Sequence, residues 1–150
     1  MALELILLRH GEAEFSIPDT ERLLTLKGIE QTREVIRQRA GSLAGLTAAY
    51  VSPYRRAQQT FLVIAELAEL PAPQSLDLLQ PESSVTQLIE WLQQQQGKIL
   101  LVAHNPLLTL LLHQLLGVAS HSFDTSTLAS LKMPVAAAGC AELDWIDYPR

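Results

Sequence analysis

An arginine and a histidine, side by side near the start of the chain, have the chemistry to act on phosphorus. Residues 7 to 12 read LLRHGE, so Arg9 and His10 end a short apolar run and Gly11 follows at once. A histidine ring nitrogen can attack phosphorus, an arginine guanidinium can hold phosphate oxygens as a planar fork, and glycine lets the backbone turn without a Cβ in the way. The motif therefore indicates phosphoryl chemistry.

Two further motifs strengthen this interpretation, because an Arg-His-Gly tripeptide alone occurs by chance. Residues 52 to 60 read SPYRRAQQT and contain Arg56, and residues 103 to 106 read AHNP and contain His104. The three motifs together offer two imidazoles and two guanidinium groups to one tetrahedral anion. Arg9, His10, Arg56 and His104 are therefore the candidate site residues.

The composition predicts one globular domain over residues 1–150. Of the 150 residues, 48% are hydrophobic and 18% charged, a balance typical of chains that fold around a core. The net charge of −5 argues against general binding to nucleic acid, while arginines gathered near the start of the chain suit a small anionic ligand. We expect a monomer.

Cysteine usage and hydropathy predict a cytoplasmic protein that does not bind a membrane. Cys140 is the only cysteine, so no intrachain disulfide can form and a reducing compartment is expected. The opening MALELILL is interrupted by Glu4 and lacks the basic start of a secretion signal. The longest apolar stretch, residues 106–119, falls short of the roughly 20 residues that a membrane span needs.

Strand and helix patterns alternate along the chain, which predicts an α/β fold with crossover helices. The strand patterns lack polar alternation, as is typical of central parallel strands. The predicted strands are residues 3–8, 48–52, 99–103, 127–133 and 141–146. The predicted helices are residues 26–43, 53–70, 84–96 and 106–116, and the proline-containing stretch 71–81 is a predicted loop.

The candidate residues follow predicted parallel strands directly. His10 follows the first strand, Ser52 ends the second and His104 follows the third, so all three emerge at the carboxyl edge, where open α/β sheets bind ligands. Ser52 and Asn105, each followed by proline, are predicted to cap the next helix. Arg56 then lies on the first turn of its helix, toward the same edge.

These motifs, in this order and spacing, resemble those of the histidine phosphatase (phosphoglycerate mutase-like) superfamily, branch 1, and within it the small bacterial phosphohistidine phosphatases of the SixA type. LLRHGE resembles the nucleophile motif, RLLTLKG the segment with a second arginine, SPYRRAQQT the arginine motif, and AHNP the segment with the second histidine. FDTSTLAS at residues 123–130 is similar to a stretch of hydroxyl residues before a late strand. The resemblance implies a three-layer α/β sandwich, with a mostly parallel central sheet flanked by helices.

The resemblance also implies a role for each matching residue. His10 would be the catalytic nucleophile that becomes phosphorylated. Arg9, Arg56 and His104 would be catalytic residues that bind the transferred phosphoryl group. Arg22, in RLLTLKG, would be a further phosphate-binding arginine.

These roles need a neutral nucleophile and positive charge around the phosphoryl oxygens. Neighbouring arginines repel an imidazolium, so we expect them to lower the pKa of His10 from its ordinary value of roughly 6.5. Fixed guanidinium groups can replace a magnesium ion, so we expect neither a metal nor a cofactor. Whether the hydroxyl groups of Ser52, Thr125 and Ser126 contact substrate or cap backbone groups stays open.

The chain departs from the wider superfamily where ester-cleaving members carry an acidic proton donor. Their Glu- and Gly-containing signature is missing between the arginine motif and the second histidine, and Glu82 is the nearest candidate. An alkoxide leaving group needs a proton, help worth roughly 10²–10⁴ in rate, whereas a protonated phosphohistidine releases neutral imidazole. The departure favours a phosphoramidate substrate, although Glu82 is a candidate acid and equally a residue that begins a helix.

Three functions follow from these observations. The first is a metal-independent phosphatase that removes phosphate from histidine of a partner protein, such as a phosphotransfer domain of a signalling relay, through phospho-His10. The second is a small-molecule phosphomonoesterase that uses Glu82 as its acid. The third is a regulatory module that binds phosphate without turnover, which the retention of a nucleophile disfavours.

Overall fold

The first strand shows why the sheet needs a layer of helices on each face. Side chains alternate along a strand, so Leu5 and Leu7 pack into one core cluster while Ile6 and Leu8 pack into another, and all four are buried. In the computed structural model, which describes residues 2–150, helices cover both faces.

Six strands form one mixed sheet. They are, in chain order, β1 (Leu3–Arg9), β2 (Ala48–Val51), β3 (Pro73–Ser75), β4 (Gly97–Ala103), β5 (Leu128–Met133) and β6 (Glu142–Asp147). Their order in space is β3-β2-β4-β1-β5-β6. The strands β1 to β4 run parallel, and β5 is antiparallel to both of its neighbours. This arrangement confirms the predicted α/β sandwich with a mostly parallel central sheet.

Two helices cover each face of the sheet. The face of Ile6 and Leu8 packs against α1 (Leu26–Arg39) and α2 (Arg55–Ala65), and the face of Leu5 and Leu7 packs against α3 (Val85–Leu92) and α4 (Leu107–Leu116). Short 3-10 helices lie at Asp19–Glu21, Ala40–Leu43 and Asp77–Leu79. None of the helices within residues 2–150 has the length and apolarity to cross a membrane.

Three of the predicted helices are too long. The first ends as an α-helix at Arg39, and the 3-10 helix Ala40–Leu43 follows it. The second helix ends at Ala65. The prediction extended it because Leu67 and Leu70, which pack against the core from a loop, have a spacing that resembles a helix. The third ends at Leu92 because the following glutamines offer no apolar side chain to bury. The side-chain amide of Gln93 instead donates from Nε2 to the Ala136 carbonyl at 3.0 Å.

The strand β3 lies where the sequence predicts a loop. It pairs with β2 at the edge of the sheet, from Ala49–Pro73 to Val51–Ser75, and its three residues are exposed. An edge strand tolerates proline, which has no N–H to donate. Since an exposed strand also lacks apolar alternation, the sequence pattern does not reveal it.

The carboxyl ends of β1, β2 and β4 meet at one edge of the sheet. The backbone N–H of His10, after β1, donates to the Ala103 carbonyl at the end of β4 at 3.0 Å. The N–H of Ser52, after β2, donates to the Val102 carbonyl at the same distance, 3.0 Å. The predicted convergence of His10, Ser52 and His104 at this edge is confirmed.

Candidate active site

The imidazole of His10 has a defined tautomer. Its Nδ1 lies 2.7 Å from the Gly11 carbonyl oxygen, which can only accept, so Nδ1 carries the proton. The other nitrogen, Nε2, therefore keeps its lone pair, and Arg56 Nε donates to it at 3.3 Å. The side chain is buried. His10 thus presents a neutral, nucleophilic nitrogen to the side chain of Arg56.

The peptide that follows His10 is held by close packing and by one hydroxyl group. The Gly11 N–H donates to Thr60 Oγ1 at 3.1 Å, and the Thr60 hydroxyl donates to the Arg56 carbonyl at 2.8 Å. A Cβ on Gly11 would lie 2.8 Å from the Gly28 carbonyl oxygen, which is closer than real Cβ contacts come. Glycine is therefore required beside the nucleophile, and Thr60 couples the His10 loop to the helix of Arg56.

Burial is the largest cause of the low basicity of His10. Burial first, and then the charges of Arg56, Arg9 and Arg22, together lower its pKa to about 3, against an opposing effect of the bond to the Gly11 carbonyl. The sequence interpretation attributed the lowering to the arginines, which come second. In either case the ring is neutral at neutral pH.

His104 lies against His10 and is equally shielded from water. The two ring centroids are 4.9 Å apart, and the centroid of the Tyr54 ring lies 5.0 Å from that of His104. Burial lowers the pKa of His104 to about 2, with smaller contributions from His10 and from Arg56 and Arg9. Its Nδ1 is buried without a hydrogen-bond partner among residues 2–150.

The Ser52 hydroxyl group holds His104 and does not cap a helix through its side chain. Its Oγ lies 2.7 Å from His104 Nε2 and accepts the Tyr54 N–H at 3.2 Å. The helix α2 begins later than predicted, at Arg55, and Tyr54 precedes it without a side-chain cap. Asn105 comes closer to its predicted role, since its Oδ1 accepts the Thr109 N–H in the first turn of α4 at 3.2 Å.

Two arginines flank the histidine pair. Arg9 donates from Nη1 to the Phe123 carbonyl at 2.9 Å, while its Nε is buried without a partner within residues 2–150. Burial lowers the pKa of Arg9, Asp124 opposes this effect and Arg56 adds to it. Arg56 is buried as well. The site thus holds two guanidinium groups in fixed positions next to two neutral imidazoles.

Asp19 links Arg56 to Arg22, and the sequence interpretation missed it. Its carbonyl accepts from Arg56 Nη1 at 2.7 Å, one carboxylate oxygen accepts from Arg56 Nη2 at 3.3 Å and the other from Arg22 Nη1 at 3.2 Å. Partial burial raises the pKa of Asp19, but Arg22 and Arg56 outweigh this effect and hold it below its ordinary value. Arg22 therefore lies at the rim, where Asp19 joins it to Arg56 and its own Nε donates to the Glu14 carbonyl at 2.7 Å.

The hydroxyl-rich segment supports the backbone beneath the site. The N–H of Ser126 is shared between the carbonyls of Arg9 and His10, at 3.1 Å from each. Its buried hydroxyl group lies 2.8 Å from Thr32 Oγ1 on α1. Ser126 thus holds the end of β1, whereas the Thr125 side chain forms no hydrogen bond within residues 2–150.

Glu82 forms no side-chain hydrogen bond with the residues of this cluster in the described part of the chain. It is an exposed residue in the turn before α3, and its carboxylate forms no ion pair in the described part of the chain. The Arg55 side chain is exposed and pairs with Glu21 at 3.0 Å, so it is not part of the buried cluster. No group of three or more His, Cys, Asp or Glu side chains within residues 2–150 is placed to hold a metal ion.

Comparison with known proteins assigns the chain to a family. The family model of the histidine phosphatase superfamily, branch 1, matches residues 5–80. The chain belongs to this superfamily, and it is a hydrolase of the phosphatase class. Within the superfamily it is of the SixA type.

Three relatives show the extent of the similarity. Phosphohistidine phosphatase SixA of Escherichia coli (strain K12) is 27% identical over 144 residues, which cover 91% of this chain and 89% of that protein. An uncharacterised protein of a Picosynechococcus species is 32% identical over 113 residues, covering 69% of this chain and 67% of that protein. A structure of the protein histidine phosphatase SixA complexed with tungstate superimposes with a TM-score of 0.88 at 27% identity, covering 97% of each chain.

Proposed function

We propose that this protein is a metal-independent phosphohistidine phosphatase that acts on a partner protein through a covalent intermediate on His10. The observation that carries the proposal is the defined tautomer of His10, with its Nδ1 proton on the Gly11 carbonyl and its Nε2 lone pair beside Arg56. A module that only binds phosphate has no need of a buried, neutral nucleophile. The E. coli relative is named a phosphohistidine phosphatase, which supports the same substrate class.

The proposed reaction has two displacements at phosphorus. In the first, the lone pair of His10 Nε2 forms a bond to phosphorus, the bond from phosphorus to the substrate imidazole nitrogen breaks, and the electron pair returns to that nitrogen. The substrate leaves as neutral imidazole because its other ring nitrogen already carries a proton. In the second, water attacks phospho-His10, Nε2 recovers its electron pair, and the proton lost by water passes to the phosphate or the solvent.

The unpartnered nitrogens of the site are suited to the phosphoryl oxygens. Arg9 Nε and His104 Nδ1 are buried without a partner in the described chain, and a buried donor without a partner is unfavourable. We assign the His104 proton to Nδ1, with the Ser52 hydroxyl donating to Nε2, so that both nitrogens donate to the oxygens. Arg56 contributes positive charge beside Nε2, and Arg22 supports it from the rim. The SixA structure in complex with tungstate, a tetrahedral oxyanion, is consistent with such binding.

The placement of Glu82 supports a phosphoramidate rather than an ester substrate. Its carboxylate is exposed, and no hydrogen bond or ion pair within residues 2–150 holds it in position, whereas ester cleavage benefits from a positioned acid by roughly 10²–10⁴ in rate. The proposed partner is a phosphohistidine-bearing protein such as a phosphotransfer domain of a signalling relay. We propose a cytoplasmic location, which the single cysteine Cys140 supports.

The test compares two classes of substrate under metal-free conditions. The wild type is incubated with EDTA and either a phosphotransfer domain phosphorylated on histidine or a panel of phosphate monoesters. We expect kcat/KM to be higher for the phosphohistidine protein by at least about 10²-fold. His10→Ala abolishes turnover of both classes, and Glu82→Gln leaves turnover of the phosphohistidine protein unchanged.

Three outcomes contradict the proposal. Faster turnover of the esters, lost in Glu82→Gln, identifies a small-molecule phosphomonoesterase. Phosphate binding without turnover of either class identifies a regulatory binding module. Loss of activity in EDTA that returns with added Mg²⁺ contradicts the metal-independent mechanism.

A further inference from the structure

We infer that exposed apolar side chains of residues 12–26 form the docking surface for the protein that carries the phosphohistidine, an inference that rests on the proposed function. This segment, called the rim hairpin, joins the His10 loop to α1. Ala13 and Leu24 form an antiparallel bridge, and the Glu14 N–H donates to the Leu23 carbonyl at 2.8 Å. The rim hairpin is therefore an ordered element rather than a loose loop.

The rim hairpin lies at the mouth of the candidate active site. The Asp19 carbonyl, near its tip, accepts from Arg56 Nη1 at 2.7 Å. The same guanidinium group donates from Nε to His10 Nε2 at 3.3 Å. Two hydrogen bonds through one side chain thus connect the rim hairpin to the proposed nucleophile.

The rim hairpin carries the most exposed large apolar side chains of the described chain. Phe15 is 100% exposed, Ile17 95% and Leu26 83%, and Leu23 is exposed as well. Single exposed apolar side chains are ordinary on protein surfaces, but their concentration on one short element marks an interaction site. Because these exposed apolar side chains lie beside the site, they are placed to contact the substrate protein.

The reach of a histidine side chain explains why the occupant is a protein. A phosphohistidine side chain is only a few bonds long, so its phosphorus can approach His10 Nε2 only when the backbone of the partner comes down to the mouth. A partner that comes this close meets the rim hairpin, whose Asp19 carbonyl bonds Arg56. A free phosphorylated amino acid brings no such surface to Phe15 or Ile17.

The charge next to the apolar side chains defines the chemistry of the partner further. Glu14 precedes Phe15, is exposed, and has no ion-pair partner in residues 2–150. A complementary surface offers apolar side chains with a lysine or arginine beside them. The inferred partner therefore presents its phosphohistidine on an apolar face with a basic residue nearby.

The test measures two substrates that share the reacting group and differ in the docking surface. The double variant Phe15→Ser/Ile17→Ser is compared with the wild type on a histidine-phosphorylated phosphotransfer domain and on free phosphohistidine. We expect kcat/KM for the domain to fall by about tenfold, through KM, while kcat/KM for the free amino acid is unchanged. Leu26→Ser reaches the same surface from α1, and we expect it to act in the same direction.

The matched control is Leu110→Ser, which makes the same kind of exchange at an exposed position (51%) on α4, across the sheet from α1. We expect no change with either substrate. The free phosphohistidine substrate is needed as well, because the Phe15 ring lies 5.4 Å from the Arg22 guanidinium. An indirect effect through Arg22 would lower turnover of both substrates equally.

Several results overturn the inference. For the double variant, they are equal losses on both substrates or no loss on the domain. For the wild type, the contradicting result is activity on free phosphohistidine but none on the domain. In light scattering, a wild-type dimer that dissociates in the double variant would make a second copy the occupant. Absence of wild-type turnover of both substrates rejects the proposed function itself. The two failures are therefore distinguishable.

Discussion

His10 is prepared as a nucleophile mainly by its removal from water. Its pKa falls to about 3 through burial first and through the neighbouring arginines second. The bond from Nδ1 to the Gly11 carbonyl opposes the lowering but selects the tautomer with an unprotonated Nε2, whose lone pair faces Arg56. One residue thus combines a reactive lone pair with a proton that is already in place.

The first prediction concerns the protonation of this ring. Because the pKa of His10 lies near about 3, we expect the neutral Nδ1–H form to persist as the pH falls from about 8 to about 4, where a free histidine would have become charged. Nitrogen-15 NMR of histidine-labelled protein measures this directly. A ring of His10 that titrates near about 6.5 contradicts the account.

The lowered pKa values of His10 and His104 make the stability of the fold depend on pH. Below a pH of about 6.5 the unfolded chain protonates residues 10 and 104, whereas the folded chain does not, so the free energy of unfolding falls as the pH drops through this window. The folded pKa values of about 3 and about 2 set its lower end. A His10→Gln/His104→Gln variant should lose stability less steeply over the window in urea titrations. Equal slopes would show that the two rings titrate alike in both states.

At the scale of elements, α1 touches the loop that carries the nucleophile so closely that only glycine fits. A Cβ on Gly28 would lie 2.2 Å from the Glu12 carbonyl oxygen and 2.7 Å from its nitrogen. The contact is backbone against backbone, so neither side can rotate away. This close approach fixes the loop that contains Gly11.

Gly28→Ala should therefore displace the loop and destabilise the fold. We expect a loss of about 1–3 kcal/mol in urea denaturation, together with reduced turnover. Gly41→Ala is the matched control, because a Cβ there meets nothing within 4 Å, and we expect no loss and a gain of up to about 1 kcal/mol. Similar effects of the two substitutions would contradict the packing argument.

Local pattern was sufficient to predict the elements that hold the site. The apolar runs of β1 and β4 and the leucine periodicity of α4 are direct consequences of burial, so they are visible in the sequence. The order of the motifs along the chain then placed His10 and His104 at one sheet edge. Both predictions needed no knowledge of specific contacts.

Contacts between distant segments were beyond such patterns. Asp19, which lies on a short 3-10 helix, forms ion pairs with two arginines. The Ser52 hydroxyl group contacts His104 instead of capping a helix. Thr60 was visible as a motif residue, but its bond to the Gly11 N–H depends on how α2 packs. These details arise from tertiary packing, and no local periodicity encodes them.

At the scale of the whole molecule, the fold brings two imidazoles and two guanidinium groups from three sequence segments to one buried cluster. Parallel strands deliver them to a common edge, and two layers of helices keep that edge rigid. The net charge of −5 makes this pair of neighbouring guanidinium groups a local exception. We expect this arrangement to act as one unit in phosphoryl transfer.

The most direct test of this account is the capture of phosphate on His10. Enzyme mixed with a radiolabelled, histidine-phosphorylated phosphotransfer domain is quenched in base within milliseconds to seconds, and the labelled residue is located by mass spectrometry. The account predicts transient label on His10 and neither label nor turnover in His10→Ala. Label on another residue, or undiminished turnover in His10→Ala, would contradict it.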